Sequence, residues 1–123
     1  MSSQGPWSAV TGAMSSWYQG KLFIEHATTI QHDALHLMTG TIAWLVFGIV
    51  LRRPLASLRP WLWVLALILW NEAVDLWMER WPDAGMQYGE GAKDILTTMF
   101  VPTLFILAMR FAPGLFTAAK RRR

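Results

Sequence analysis

Residues Ala66–Trp81 read ALILWNEAVDLWMERW. An unbroken apolar run from Trp61 to Trp70 leads straight into Asn71, Glu72, Asp75 and Glu79. The first part is greasy enough for a bilayer, and the second carries groups that a bilayer penalises. A charged side chain at mid-helix costs about 2.5–3.5 kcal/mol on insertion scales, and less near the helix end. The stretch therefore reads as a membrane span whose polar end lies near one surface, facing other polar groups.

Two more stretches are of the same kind. The three runs are ALHLMTGTIAWLVFGIVL (residues 34–51), WLWVLALILWNEAVDLWM (61–78) and ILTTMFVPTLFILAMRFA (95–112). Each approaches the ~20 residues a helix needs to cross the hydrocarbon core. In lipid only helices and closed barrels satisfy their own backbone, and three runs cannot close a barrel. None alternates in the two-residue period of a barrel strand. The expected fold is all-α: a three-helix transmembrane bundle with an N-terminal amphipathic or extended helical segment.

Composition agrees. The chain has 123 residues, 54% hydrophobic and 15% charged, which is little charge for a water-facing surface. One domain is expected: a single three-span unit over 17–123, after a flexible N-terminus over 1–16. Cysteine is absent, which excludes a disulfide frame, a thiol catalyst and a thiolate metal site. Met1–Ser16 lacks the basic start of a signal peptide. Eight tryptophans suit membrane–water interfaces. Between residues 17 and 31, WYQGKLFIEHATTIQ mixes apolar and polar positions. It fits an interfacial amphipathic helix. An extension of the first span is favoured, because no Pro or Gly separates it from Ala34.

Charge sets the orientation. Arg52, Arg53 and Arg59 lie in RRPLASLRP, the proline-bearing link between spans one and two. Arg110 and the terminal run Lys120–Arg123 lie beyond span three. Three spans put these groups on one side, and positive charge marks the cytoplasm. All the acidic residues fall on the other side, with only Lys21, Arg80 and Lys93 for company. The reading is a bacterial inner-membrane protein with its N-terminus outside and its C-terminus cytoplasmic. The basic tail reads as a partner of anionic lipid, so no nucleic acid is expected. ERWPDAGMQYGEGAKD (79–94) reads as a long external loop and a candidate functional cap.

Helical spacing then gathers the polar residues. His32 and His36 share a face at i, i+4, extended backwards by Glu25 and Thr29. Glu72, Asp75 and Glu79 share another. The candidate ligand-binding residues are His32, Asp33, His36, Asn71, Glu72, Asp75 and Asp94, all near one depth. Three explanations stay open: pairing that holds short helices together, a site for a lipid head group, small substrate or proton, and a metal site. The candidate metal ligands are His32, His36, Glu72 and Asp75, since H-x-x-x-H has ligand spacing and carboxylates supply oxygen. No cofactor is identified. His26 lies off the shared face and is expected in solvent. Asp94 reads as the N-cap of the third helix. Pro102 is expected to kink that helix, with Thr98 compensating locally, and Thr39, Gly40, Thr41 and Ala43 are small enough for close helix contact. GEGAKD (89–94) lacks the spacing of a phosphate loop. No Ser/His/Asp triad is legible, so no catalytic residue is assigned and the reading leans away from an enzyme.

HDALHLMTGTIAWLV, the NEAVD that closes the second span, and KDILTTMFVPTLFIL together resemble the VanZ-like family of small bacterial membrane proteins. That family carries Asp-Lys-x-x-His opening one helix, Glu-x-x-Gln closing the next, and Asp-x-x-x-Asn-x-x-Gly in the last. By this resemblance His32 stands at the family Asp and His36 at its His. Glu72 matches the Glu, Asp75 stands at the Gln, and Asp94 matches the Asp. Thr98 stands at the Asn and Val101 at the Gly. The resemblance covers about residues 31–110 and implies a bundle with polar residues at its outer face. It does not imply a reaction. The first functional expectation is an outer-face His/Asp/Glu cluster that binds a lipid head group or envelope-lipid intermediate. The alternative is an accessory subunit of a larger membrane complex, with membrane lipids and other subunits as partners. A metal- or acid–base-dependent hydrolase ranks third.

Overall fold

A computed structural model describes residues 5–117; the basic run Lys120–Arg123 and residues 1–4 lie outside them. The described residues form four α-helices and no strand. They are α1 (Pro6–Thr28), α2 (His32–Leu51), α3 (Leu58–Met78) and α4 (Ala84–Phe111), followed by a 3-10 turn at Pro113–Phe116. Helices α2, α3 and α4 are each long and apolar enough to cross a membrane, and each packs on the other two. The all-α, three-span bundle with a helical N-terminal segment is the observed architecture.

Three boundaries differ from the sequence reading. Residues 6–16, read as part of a flexible N-terminus, are helical: Pro6 starts α1 one residue after the Gly5 cap, where its missing N–H costs nothing. Helix α1 does not run into α2. Thr29 takes a left-handed conformation at φ 53°, and its N–H caps the Glu25 carbonyl at 3.1 Å. A non-glycine residue seldom adopts that geometry, so composition gave no sign of the break. The stretch 79–94 is mostly helix, not loop. Asp83 is the N-cap of α4, its Oδ1 accepting from the Met86 N–H at 3.2 Å, so Asp94 lies three turns inside the helix instead of capping it.

The core lies on the inner faces of the three spans. Trp44, Val64, Ile68, Met99 and Ile106 are buried together. Most large apolar side chains outside it are exposed, as expected when the surrounding solvent is lipid. At the basic end the α2–α3 link carries Arg52 and Arg53, and the Arg110 Nε of α4 donates to the Ala56 carbonyl at 3.2 Å. The arginines of the link and of the third span therefore share one end of the bundle.

One contact sets the register of α2 on α4. Pro102, fully buried in α4, has no N–H to give the Thr98 carbonyl one turn back. Gly40 of α2 packs directly on that freed carbonyl oxygen, and a Cβ at position 40 would collide with it. The bare glycine lets the two backbones meet, with its Cα–H groups as the available weak donors. Thr98 does not compensate locally. Its hydroxyl is 3.0 Å from His36 Nδ1 on α2.

Candidate functional site

The register just described places the first turns of α2 against the middle of α4. His32 Nε2 lies 3.2 Å from Asp94 Oδ2, and His36 Nε2 lies 3.5 Å from the same oxygen. The two imidazoles meet edge-on, Nε2 to Nε2, at 3.1 Å. Asp94 is 3% exposed. Glu72 and Asp75, from the last turns of α3, each bring a carboxylate oxygen within 4.8 Å of one from Asp94. Gly91 makes room for Glu72: a Cβ there would stand 2.8 Å from Glu72 Oε2, so the missing side chain lets the carboxylate rest on the α4 backbone.

Helix α1 clasps the C-terminal end of α3. Trp17 Nε1 donates to Asn71 Oδ1 at 3.1 Å, and Lys21 Nζ donates to the same oxygen at 3.4 Å. Lys21 also forms an ion pair with Asp75, and the Tyr18 hydroxyl donates to Glu79 Oε1 at 3.2 Å. Burial and the adjacent Glu79 carboxylate push the Tyr18 phenol above its ordinary value. Asn71 completes the chain by donating Nδ2 to Glu72 Oε1 at 3.3 Å.

All seven expected residues fall into one cluster, with His32, His36, Asn71, Glu72, Asp75 and Asp94 at its centre and Asp33 at its edge. Asp33 stands at the rim, about half exposed, with a carboxylate oxygen within 4.8 Å of oxygens from Glu90 and Asp94; it pairs with Lys93 at 3.2 Å, while Lys93 also reaches Glu90 at 2.8 Å. His26 is exposed, as read from its register. Among the four expected metal ligands, His32 and His36 converge, while Glu72 and Asp75 group with Asp94 in a separate trio. Asp94 joins both groups. The sequence reading did not single out Trp17, Tyr18 or Lys21. Their i, i+4 spacing (17 to 21) was visible, but only folding reveals that the partner of this stripe is α3.

Two cavities adjoin the network. An open chamber of about 450 Å³ is lined by Glu72, Asp75, Asp94 and residues of the 79–93 stretch. A second, of about 230 Å³, runs between α1, α2 and α3 past Ile24, Leu35, Leu67 and Ile68. Glu25 and His32 border both.

Fold and site together define an α-helical bundle with three membrane-crossing-length helices and a polar His–carboxylate network at one end. Comparison of the chain with protein-family models, curated proteins and solved structures yields no match.

Proposed function

We propose that this is a small multi-pass protein of the bacterial inner membrane, N-terminus outside and C-terminus cytoplasmic, that binds a lipid head group at its outer face. The VanZ-like resemblance is part of this proposal, as it implies polar residues at the outer face of the bundle. The observation that carries the reading is the pair of adjoining cavities. One is lined by carboxylates, His32 and Lys93; the other presents mostly apolar surface, from Trp17, Ile24, Leu35, Leu67 and Ile68, with Lys21, His36 and Asn71 also on its wall, and Glu25 and His32 border both. An amphiphile has the same division: a polar head for the chamber and an acyl chain for the groove. The chamber is lined by far more carboxylates than cations, so its field favours a head group that carries an amine.

The test is native mass spectrometry of protein extracted in mild detergent. The expected spectrum shows one retained lipid per chain, lost on Glu72→Gln and on Leu67→Trp, which fills the groove. A lipid-free wild-type chain, or an adduct indifferent to both substitutions, overturns the reading. The alternative, an accessory subunit, draws on α1, which has no buried residue and displays Trp7 and Phe23 outward. It predicts a stoichiometric protein partner in the same spectrum.

A further inference from the structure

The atoms at the centre of the network form a small triangle. Its edges are 3.1 Å between the two Nε2 atoms, and 3.2 Å and 3.5 Å from these to Asp94 Oδ2. We propose that His32, His36 and Asp94 bind one divalent transition-metal ion of the zinc class, with the fourth coordination position open to the chamber.

Three observations carry this. The first is the spacing. A tetrahedral zinc with bonds of about 2.0–2.1 Å holds its ligand atoms about 3.3–3.4 Å apart. The triangle has that size, so an ion just out of its plane reaches all three atoms with little movement. The second is the orientation of the rings. Both imidazoles present Nε2 to the same point, and each Nδ1 faces an oxygen: Thr98 Oγ1 at 3.0 Å for His36, and Glu25 Oε1 at 3.7 Å for His32. Metal-bound histidines are held in this way, with the remote nitrogen turned to a hydroxyl or carboxylate. In the tautomer with both protons on Nδ1, two nitrogen lone pairs and a carboxylate oxygen converge on one spot, which is the donor set a cation would take.

The third observation is independent of the triangle. Asp94 Oδ1 is buried and has no hydrogen-bond partner. A buried carboxylate oxygen with no donor carries a desolvation cost that neighbouring charge must offset. A divalent ion on Oδ2 places that charge next to Oδ1 and allows the carboxylate to share both oxygens. Glu72 and Asp75 stand close behind and add negative potential at the same place. Metal binding at the triangle needs no lipid, although His32 and His36 also border the apolar groove.

The experiment loads chelator-stripped, detergent-solubilised full-length protein with Zn²⁺ alone, and in parallel with Co²⁺ alone. Metal per chain is measured after desalting, and the visible cobalt spectrum is recorded. The expected result is about one zinc per chain and an intense four-coordinate cobalt spectrum, both abolished in His36→Ala and Asp94→Asn. His26→Ala, which alters an exposed histidine, leaves both intact. Glu25→Gln retains the site with zinc affinity reduced roughly 10- to 100-fold, as for an outer-sphere partner. Helix content by circular dichroism and elution as a single species accompany each variant. If His36→Ala misfolds, the wild-type cobalt spectrum and the Glu25→Gln affinity still decide the matter. A wild-type chain that binds no zinc, a six-coordinate cobalt spectrum, or binding unchanged in folded His36→Ala overturns the proposal. Zinc without lipid, or lipid without zinc, tells the failure of one reading from the failure of the other.

Discussion

Gly40→Ala is the most direct probe of how the site is assembled. The new Cβ would meet the Thr98 carbonyl oxygen head-on, with the Thr98 carbonyl carbon and Cγ2 each at 2.9 Å. Non-bonded carbons rest at about 3.5–4.0 Å, so α2 and α4 must part by on the order of 1 Å. Two helix backbones cannot yield like the tip of a side chain, and overpacking of this kind costs about 1–3 kcal/mol. The separation also stretches the 3.0 Å contact between His36 Nδ1 and Thr98 Oγ1 beyond hydrogen-bond range, worth about 1 kcal/mol more. The better helix propensity of alanine returns up to about 1 kcal/mol, leaving a net loss of about 1–4 kcal/mol. Gly89→Ala is the matched control, because a Cβ there meets nothing within 4 Å, and only the propensity gain of up to about 1 kcal/mol remains. Reversible denaturant unfolding in mixed micelles measures both. A Gly40→Ala protein as stable as wild type would refute the close approach of the two backbones, and with it the register that brings His36 to Asp94.

Lys21→Met leaves Asp75 largely buried without its cation; the expected loss is about 1–3 kcal/mol, with α1 cut early in limited proteolysis, and the Lys21→Met/Asp75→Asn double variant recovers part of it. No recovery in the double variant argues against the ion pair. Tyr18 gives a pH test. Its phenol is raised when docked, so its contribution is fully present below the unfolded pKa and lost as pH rises through the higher folded value. In a Tyr88→Phe background, where Tyr18 is the sole phenol, the phenolate absorbance is expected to rise above pH 10, and Glu79→Gln moves the transition down. The cysteine-free chain suits topology mapping. Ala84→Cys is expected to react with an impermeant thiol reagent in intact spheroplasts and Ser57→Cys only after lysis, and the opposite pattern inverts the orientation.

The three spans were legible because lipid imposes a length and a polarity that residues carry individually. The ends of the helices were not, because tertiary partners decide them. Gly89, Gly91 and several acidic residues made 79–94 look like a loop. In the fold, Gly91 is helical, and the space its absent Cβ leaves is occupied by the Glu72 carboxylate from another helix. Thr29 breaks the chain between α1 and α2 without being a residue that announces a break. The grouping of His32, His36, Glu72, Asp75 and Asp94 was readable from spacing and depth alone. The central place of Asp94 was not, since a sequence assigns an Asp at the edge of an apolar run to a helix cap before a helix interior.

Pro102 and Gly40 look like two defects when read singly, since one removes a hydrogen bond and the other a side chain. In the fold each makes the other useful. The carbonyl that Pro102 strands needs a close neighbour in a medium without water, where an unsatisfied backbone group costs several kcal/mol. Gly40 is the one residue type whose backbone can come close enough. One helical turn above this contact on α2 is His36; one turn above it on α4 is Asp94. A polar pair buried at the end of such a bundle needs fixed geometry, because a buried carboxylate that drifts away from its imidazoles loses the partners that offset its burial. The backbone contact supplies that constraint where side-chain packing is too forgiving to do so. Any change that lets α2 slide on α4 is therefore felt first at Asp94, even when it leaves every site residue in place.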